Sequence, residues 1–208
     1  MIRNIVFDMG RVLLDYNPYL PCLRHAGNAE DADAVHRAIF GDPSWGPMID
    51  GGVLTEEEYL VQAQKRLETD RLKALAADVM SDWWLDGLYP KSQMDKVVDN
   101  LLQKGYRLYI LTNCGTRFHD FSYKIPHYDR FSGVLVSAEE HMLKPNADIY
   151  ERLCAKYGLR PEECLFVDDL PQNVEGARAV GMDGYCYADG DVGRFQAFLG
   201  WLKWDICS

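Results

Sequence analysis

The sequence predicts an α/β fold: a doubly wound parallel sheet interrupted once by a helical insert. Three observations predict it. Short apolar runs recur along the chain and stop at polar or turn residues, as buried parallel strands do. Helix-period patterns separate the later runs, giving the strand–helix alternation of a parallel sheet. Residues 16–90 break that alternation with sequence that reads as helix through most of its length.

The first run is 3–7 (RNIVF), which ends at Asp8. Similar runs follow at 107–111 (RLYIL), 133–136 (GVLV) and 164–167 (CLFV), with a weaker one at 184–187 (GYCY). Between them, residues 92–104 place Met94, Val97, Val98, Leu101 and Leu102 on one helical face, and Gly105 follows as a stop. Residues 147–157 align Ile149, Leu153 and Tyr157 before Gly158, and residues 172–180 lead to Gly181. Inside the insert, 29–40 and 71–85 read as helices. A third begins at Thr55, with Glu58 at capping-box spacing. Asp42-Pro43 and Asp50-Gly51-Gly52 are turn signals, and Tyr89-Pro90 marks the return to the sheet. The expected organisation is a core of residues 1–15 and 91–208 carrying a helical cap of residues 16–90.

Composition narrows the function. A length of 208 residues suits one core with a small insert. A net charge of −10 opposes nonspecific binding to nucleic acid, whose phosphates attract basic surfaces. No stretch approaches the roughly 18 apolar residues of a membrane span, and the first apolar run is too short for a signal peptide. The six cysteines form no CxxC pair and no zinc spacing, so buried free thiols in a reducing cytoplasm are expected.

Ligands of open α/β sheets bind beyond the carboxyl ends of the strands. Three of those ends carry chemistry here: Asp8 after the first strand, Thr112-Asn113 after the second, and Asp168-Asp169 after the fourth. Carboxylates gathered in one crevice repel each other unless a cation joins them, and their hard oxygens suit Mg²⁺. A carboxylate is also a competent nucleophile toward phosphorus.

The segments VFDMGRVLLD (6–15), LTN (111–113), Lys144-Pro145 within LKPNADIYERL, and FVDDLPQNVEGARAVGM (166–182) stand in this order along the chain. Together they resemble the four motifs of the haloacid-dehalogenase-like (HAD) superfamily. The resemblance implies a Rossmann-like core with a helical cap and a Mg²⁺-dependent phosphohydrolase activity. It implies that Asp8 is the nucleophile and a metal ligand. The Gly10 carbonyl and Asp169 complete the metal ligands, with Asp168 and Asn173 beside them. Thr112, the Asn113 backbone N–H and Lys144 bind the phosphoryl group, and Lys144 neutralises charge between Asp8 and phosphate. The implied partner is a small phosphorylated metabolite, not nucleic acid or membrane, met by a monomer or weak homodimer.

One position departs from the pattern. Phosphatases of the superfamily usually carry an acid/base Asp two residues after the nucleophile, where this chain has Gly10. Losing a positioned acid/base removes about 10²–10⁴ in rate. The FD-x-G form resembles a subgroup that includes a bacterial α-D-glucose-1-phosphate phosphatase, as do Arg117-x-His119 and the DD-x-x-x-N-x-E-G-A stretch. A sugar 1-phosphate is the expected substrate class, because its leaving group needs less acid help. His119 is a candidate replacement donor, against the plainer reading of an exposed residue past the second strand. Two alternatives stay open. A dehalogenase also lacks the second Asp, although Asp168-Asp169 counts against it. A non-catalytic fold that binds a phosphorylated ligand or a partner is favoured by Gly10 but opposed by Asp8, Thr112, Lys144 and Asp169 together. Trp45, Met48 and Asp50 are candidates for the cap side of a substrate pocket, or else packing and a turn. Trp83 and Trp84 read as packing, and the aromatic tail 198–208 as a docking or dimer element.

Overall fold

The computed structural model describes residues 1–201. Along the chain its strands and α-helices are β1 (Asn4–Phe7), β2 (Leu14–Tyr16), α1 (Tyr19–Ala26), α2 (Ala29–Ala38), α3 (Glu56–Gln64), α4 (Asp70–Asp82), α5 (Trp84–Gly87), β3 (Leu88–Pro90), α6 (Ser92–Gln103), β4 (Arg107–Thr112), α7 (Phe118–Phe121), β5 (Gly133–Val136), α8 (Ser137–Glu140), α9 (Ala147–Tyr157), β6 (Cys164–Asp168), α10 (Pro171–Ala179), β7 (Asp183–Cys186) and α11 (Val192–Trp201).

Five strands form one sheet in the order β5-β4-β1-β6-β7, with every neighbouring pair parallel. All four residues of β1 are buried, because the strand is central and covered on both faces. Alternation sorts its side chains. Ile5 and Phe7 join Val97 and Leu101 of α6 and Phe195 of α11. Val6 faces the other way, into Tyr150 and Leu153 of α9, Ala177 of α10 and Phe166. The Phe7 and Phe195 rings meet edge to face at 6.3 Å, a geometry favoured by the ring quadrupoles. Helices on both faces make the sheet doubly wound, as expected. The chain continues to β4 on one side of β1 and β6 on the other, so the order reverses at β1. That reversal opens a crevice beyond its carboxyl end.

Helix boundaries follow local chemistry. Thr55 accepts from the Glu58 N–H at 3.2 Å while Glu58 accepts from the Thr55 N–H at 2.9 Å, so the expected capping box is formed. α9 stops where Gly158 turns left-handed, at φ 63°, and its N–H reaches the Cys154 carbonyl.

Two features of the insert were not legible in the sequence. α1 was not foreseen. Its two flanks, β2 and β3, pair as an antiparallel ribbon with Leu14 opposite Pro90 and Tyr16 opposite Leu88. At three residues each, these strands are too short for a period to show. The insert is fastened to the sheet domain by Lys124, whose ammonium donates to the carbonyls of Trp84, Leu85 and Leu88 at 2.6, 2.7 and 2.8 Å. Its centre is aromatic. Trp83 is buried and lies 5.7 Å from Phe40, 6.4 Å from Trp45 and 5.7 Å from Phe121.

Cys22, Cys114, Cys154 and Cys164 are buried free thiols, as expected, whereas Cys186 at the sheet edge is exposed. No helix among the described residues is long and apolar enough to cross a membrane. In the tail, Phe198 packs partly against the core and Trp201 is exposed. Residues 202–208, including Trp204 and Cys207, lie outside the described residues.

Candidate active site

Register brings the acidic strand ends together. Phe7 pairs with Ile110 on one side and Val167 on the other, so Asp8 and Asp168 emerge side by side. The Asp8 N–H donates to the Val167 carbonyl at 2.8 Å, which continues the ladder one residue past the end of β1. Thr112 closes β4 on the other flank and is buried.

Lys144 joins the two carboxylates. Its ammonium donates to Asp8 Oδ1 and to Asp168 Oδ2, each at 2.7 Å. The Lys144 side chain is 2% exposed and the Asp168 side chain is fully buried. The loop that carries Lys144 is clasped to the end of β4. The Asn113 side chain donates to the Lys144 carbonyl at 3.0 Å and accepts from the Lys144 N–H at 2.9 Å. Asn113 therefore has a structural use for its side chain that was not foreseen. Asn173, on α10, donates to both oxygens of Asp168 at 3.0 Å, and the Leu170 N–H donates to Oδ1 at 2.9 Å.

Electrostatics follow from burial. Desolvation pushes the Asp8 carboxyl well above the usual carboxylate range, against the pull of Lys144 and with the help of Asp168. Burial works against the Lys144 charge, but Asp8 and Asp168 outweigh it and raise the ammonium. Burial and Asp168 also raise Asp169, against the pull of Arg11, 3.8 Å away, and of Lys144.

Asp8, Asp168 and Asp169 each offer a carboxylate oxygen within 4.8 Å of the others. Three carboxylates against one buried lysine leave a net negative crevice of hard oxygens, which fits a divalent cation such as Mg²⁺. Asp168 is already committed to Lys144, Asn173 and the Leu170 amide, so it orients its neighbours. Asp169 is open, and Lys144 takes only one oxygen of Asp8. Gly10 lies in the turn that follows, bridged to Leu14.

The structure thus brings Asp8, Lys144, Asp168, Asp169 and Asn173 into one connected cluster, with Thr112 and Asn113 on the neighbouring strand end. It places His119 elsewhere in hydrogen-bonding terms. The His119 ring is exposed and bonded to Glu139 at 2.6 Å. Arg117 serves the insert. It donates to the Met80 carbonyl at 3.1 Å, lies 3.5 Å from Glu56 and stacks 4.0 Å over Trp84.

Sequence reasoning named Asp50 as a candidate for the cap side of a pocket but missed Glu56 beside it. Glu56 is buried against Trp83, whose indole N–H donates to it at 3.1 Å, and burial pushes it up to about 7. Asp50 ends a five-residue turn, Gly46–Asp50, and burial, Glu56 and Asp8 push it up to about 7. A cavity of about 330 Å³ opens beside Asp169, lined by Arg11, Asp15, Tyr16, Tyr89 and Lys91. Arg11 lies within the segment 6–15 without a role assigned to it there, and Lys91 carried no motif that could have singled it out.

A family model described as haloacid dehalogenase-like hydrolase matches residues 2–181. The chain belongs to the haloacid dehalogenase-like hydrolases. The sesquiterpene phosphatase astK of Aspergillus oryzae is 28% identical over 90% of this hydrolase and 90% of its own length. Haloacetate dehalogenase H-2 of a Moraxella species is 25% identical over 95% and 92%. Among solved structures, an HAD-like hydrolase from Porphyromonas gingivalis aligns with TM-score 0.70 and 27% identity, covering 96% of this chain and 98% of that one. An HAD enzyme from Bacteroides thetaiotaomicron, solved with magnesium and inorganic phosphate, aligns with TM-score 0.65 and 19% identity over 89% and 94%. HAD relatives therefore include both phosphatases and dehalogenases.

Proposed function

We propose that this HAD-like hydrolase is a Mg²⁺-dependent phosphatase that cleaves a small phosphomonoester, of the sugar phosphate class, through an aspartyl phosphate on Asp8. The observation that carries the proposal is the Lys144 ammonium held at 2.7 Å from both Asp8 and Asp168, with Asp169 completing a carboxylate triad. A dehalogenase needs one carboxylate nucleophile and no cation, so it has no use for Asp168-Asp169. Magnesium, where bound by Asp8, Asp169 and the Gly10 carbonyl, supplies neutralisation of the anionic phosphoryl group. Lys144 supplies a fixed positive charge beside the attacking oxygen, where phosphoryl transfer needs it. Thr112 and the Asn113 N–H orient the remaining phosphoryl oxygens. Asp8 attacks phosphorus in line, the alcohol leaves, and water then frees phosphate and Asp8.

Residues 16–90 act as the cap over a core of 1–15 and 91–208, and they exclude bulk water during the reaction. Support comes from the ribbon at residues 14–16 and 88–90, which carries the chain out and back. The cavity beside Asp169 has the volume of a small-molecule site and two cations in its lining. The setting is cytoplasmic, and the protein acts as a monomer or weak homodimer.

The test is phosphate release from a panel of sugar and nucleotide monophosphates, with Mg²⁺ and with EDTA, beside halide release from haloacetates. Metal-dependent phosphate release is expected, highest on sugar phosphates. Halide release without phosphate release would overturn the assignment.

A further inference from the structure

Gly10 stands where an acid/base is expected, yet nothing in the backbone requires glycine there. Its φ is not among the positive values, and a Cβ built on it meets no heavy atom within 4 Å. The space is open, and the Ser137 hydroxyl, which accepts from the Cys114 N–H at 2.9 Å beside Asn113 at the end of β4, also holds the Asp50 backbone, so the Asp50 carboxylate feels the charges of Asp8 and Lys144. The Gly46–Asp50 turn is pinned to the sheet domain. The Ser137 hydroxyl donates to the Asp50 carbonyl at 2.5 Å. Gly52, at φ 69°, lies so close to the Ala138 carbonyl that a Cβ would stand 2.2 Å from it. Asp50 is therefore held by the core as well as by its own element.

Of the carboxylates around the crevice, Asp8 and Asp168 are bound by Lys144, Asp169 faces Arg11, and Glu56 is bound by Trp83 and Arg117. The Asp50 carboxylate accepts no hydrogen bond and makes no ion pair among the described residues. It is half-buried, with electrostatic neighbours on every side: Glu56 on α3, Asp8 after β1, Lys144 before α9, Tyr16 on β2 and Cys114 after β4. Tyr16 and Cys114 are both pushed up by burial, so neither ionises near neutral pH.

We propose that Asp50, delivered from the insert, is the general acid/base that replaces the one missing at Gly10. This rests on the phosphatase reading above. In the first step an Asp8 oxygen forms a bond to phosphorus and the bond from phosphorus to the ester oxygen breaks. The electron pair stays on the ester oxygen, which takes the Asp50 proton and leaves as the alcohol. In the second step water bonds to phosphorus while Asp50, now a carboxylate, accepts a water proton. The bond from phosphorus to Asp8 breaks with its electron pair returning to Asp8, and phosphate departs with Asp50 protonated again. A group held near 7 both donates and accepts at neutral pH, as this cycle demands.

The experiment compares wild type, Asp50→Asn and Gly10→Asp/Asp50→Asn on p-nitrophenyl phosphate, which leaves without a proton, and on β-glycerophosphate, which does not. Asp50→Asn is expected to keep its single-turnover burst of p-nitrophenol within about threefold. Its steady-state rate and its β-glycerophosphate rate should fall about 10²–10⁴-fold, and phosphorylated Asp8 should accumulate. The second carboxylate in the double variant should recover at least about tenfold of the β-glycerophosphate rate. Burst and steady state falling together without phosphoenzyme, or no change on either ester, would overturn the role of Asp50. Wild type keeps the idea testable even where the variant does not fold: a single-turnover rate on β-glycerophosphate more than about 10⁴-fold below that on p-nitrophenyl phosphate means that no acid acts. Wild type inert toward every phosphomonoester would instead overturn the phosphatase reading itself.

Discussion

Replacing Glu56 with Gln should make the protein more stable at alkaline pH and change the pH dependence of its stability. Glu56 is 7% exposed, and burial raises its pKa from an ordinary 4.5 to about 7, against the opposing pull of the Trp83 hydrogen bond and of Arg117. The sign follows from proton counts. Between pH 4.5 and 7 the folded state holds a proton at Glu56 that the unfolded state has released, so stability falls as pH rises through that window. The gap, at about 1.4 kcal/mol per pH unit, corresponds to about 3 kcal/mol between pH 4 and pH 8. Gln accepts the same indole N–H and carries no charge, so the variant escapes that loss. It also relieves Asp50, which Glu56 helps to raise, and this adds to the difference in the same direction. The assay is urea unfolding of both proteins at pH 4.5, 6, 7 and 8.5, without metal. The variant's advantage should grow by about 3 kcal/mol across the series. Parallel stability curves for the two proteins would refute the claim that Glu56 ionises at a cost in the folded state.

Asp8→Asn should abolish phosphate release while the thermal midpoint holds or rises, because one of three crowded carboxylates is neutralised; a turnover assay beside calorimetry checks both. Lys144→Met should reduce turnover by at least about 10²-fold and lower metal-free stability by about 3–5 kcal/mol, since it leaves Asp8 and Asp168 buried without their cation. Denaturant melts should show Mg²⁺ restoring part of that loss. Wild type should gain about 2.7 kcal/mol at a Mg²⁺ concentration 100 times its Kd, and Asp169→Asn should show no such gain in the same thermal-shift series. Gly52→Ala adds a Cβ 2.2 Å from the Ala138 carbonyl at a left-handed backbone position. It should displace the Asp50 turn and cut turnover, while Mg²⁺ binding by calorimetry stays intact.

The sheet and its loaded strand ends were legible because they depend on local signals. A central strand buried on both faces writes a continuous apolar run, and its end is marked where Asp8 or Asp168 interrupts it. The loaded strand ends then sufficed to expect Asp8 and Asp169 in one crevice, whereas Lys144 was expected there only through the resemblance of its motif to the HAD superfamily. The opposing wall was legible only in part: Asp50 was a candidate for the cap side of a pocket beside the plainer reading of a turn, whereas Glu56 sits in the first turn of a helix, where acidic residues are ordinary. Their character comes from what the fold sets beside them: Trp83 from α4's end, Arg117 from beyond β4, and each other. The ribbon of β2 and β3 was hidden by its brevity, and α1 by its eight-residue length, the Pro21 inside it and the lack of a side-chain cap at its start. The use of the Asn113 side chain as a clasp for Lys144 needs a partner 31 residues away, which no window of local sequence contains.

The two sides of the crevice differ in how they meet their charge, and that difference bears on mechanism. On the sheet side, Asp8, Asp168 and Asp169 share one buried ammonium, so the deficit is left for a cation and for the order in which ligands arrive. A phosphate ester adds further negative charge and is not held by Lys144 alone, so metal binding should precede or accompany substrate. On the insert side, Glu56 is answered by Arg117 and Trp83, while Asp50 is answered by proton uptake. A cation on the sheet side lowers the cost of ionising Asp50 as well as Asp8, because both feel the same field. Acidity across the crevice is therefore coupled to metal occupancy. The pH at which turnover of a poor leaving group declines should shift downward as Mg²⁺ rises from limiting to saturating, whereas turnover of p-nitrophenyl phosphate should show no such displacement in its first chemical step.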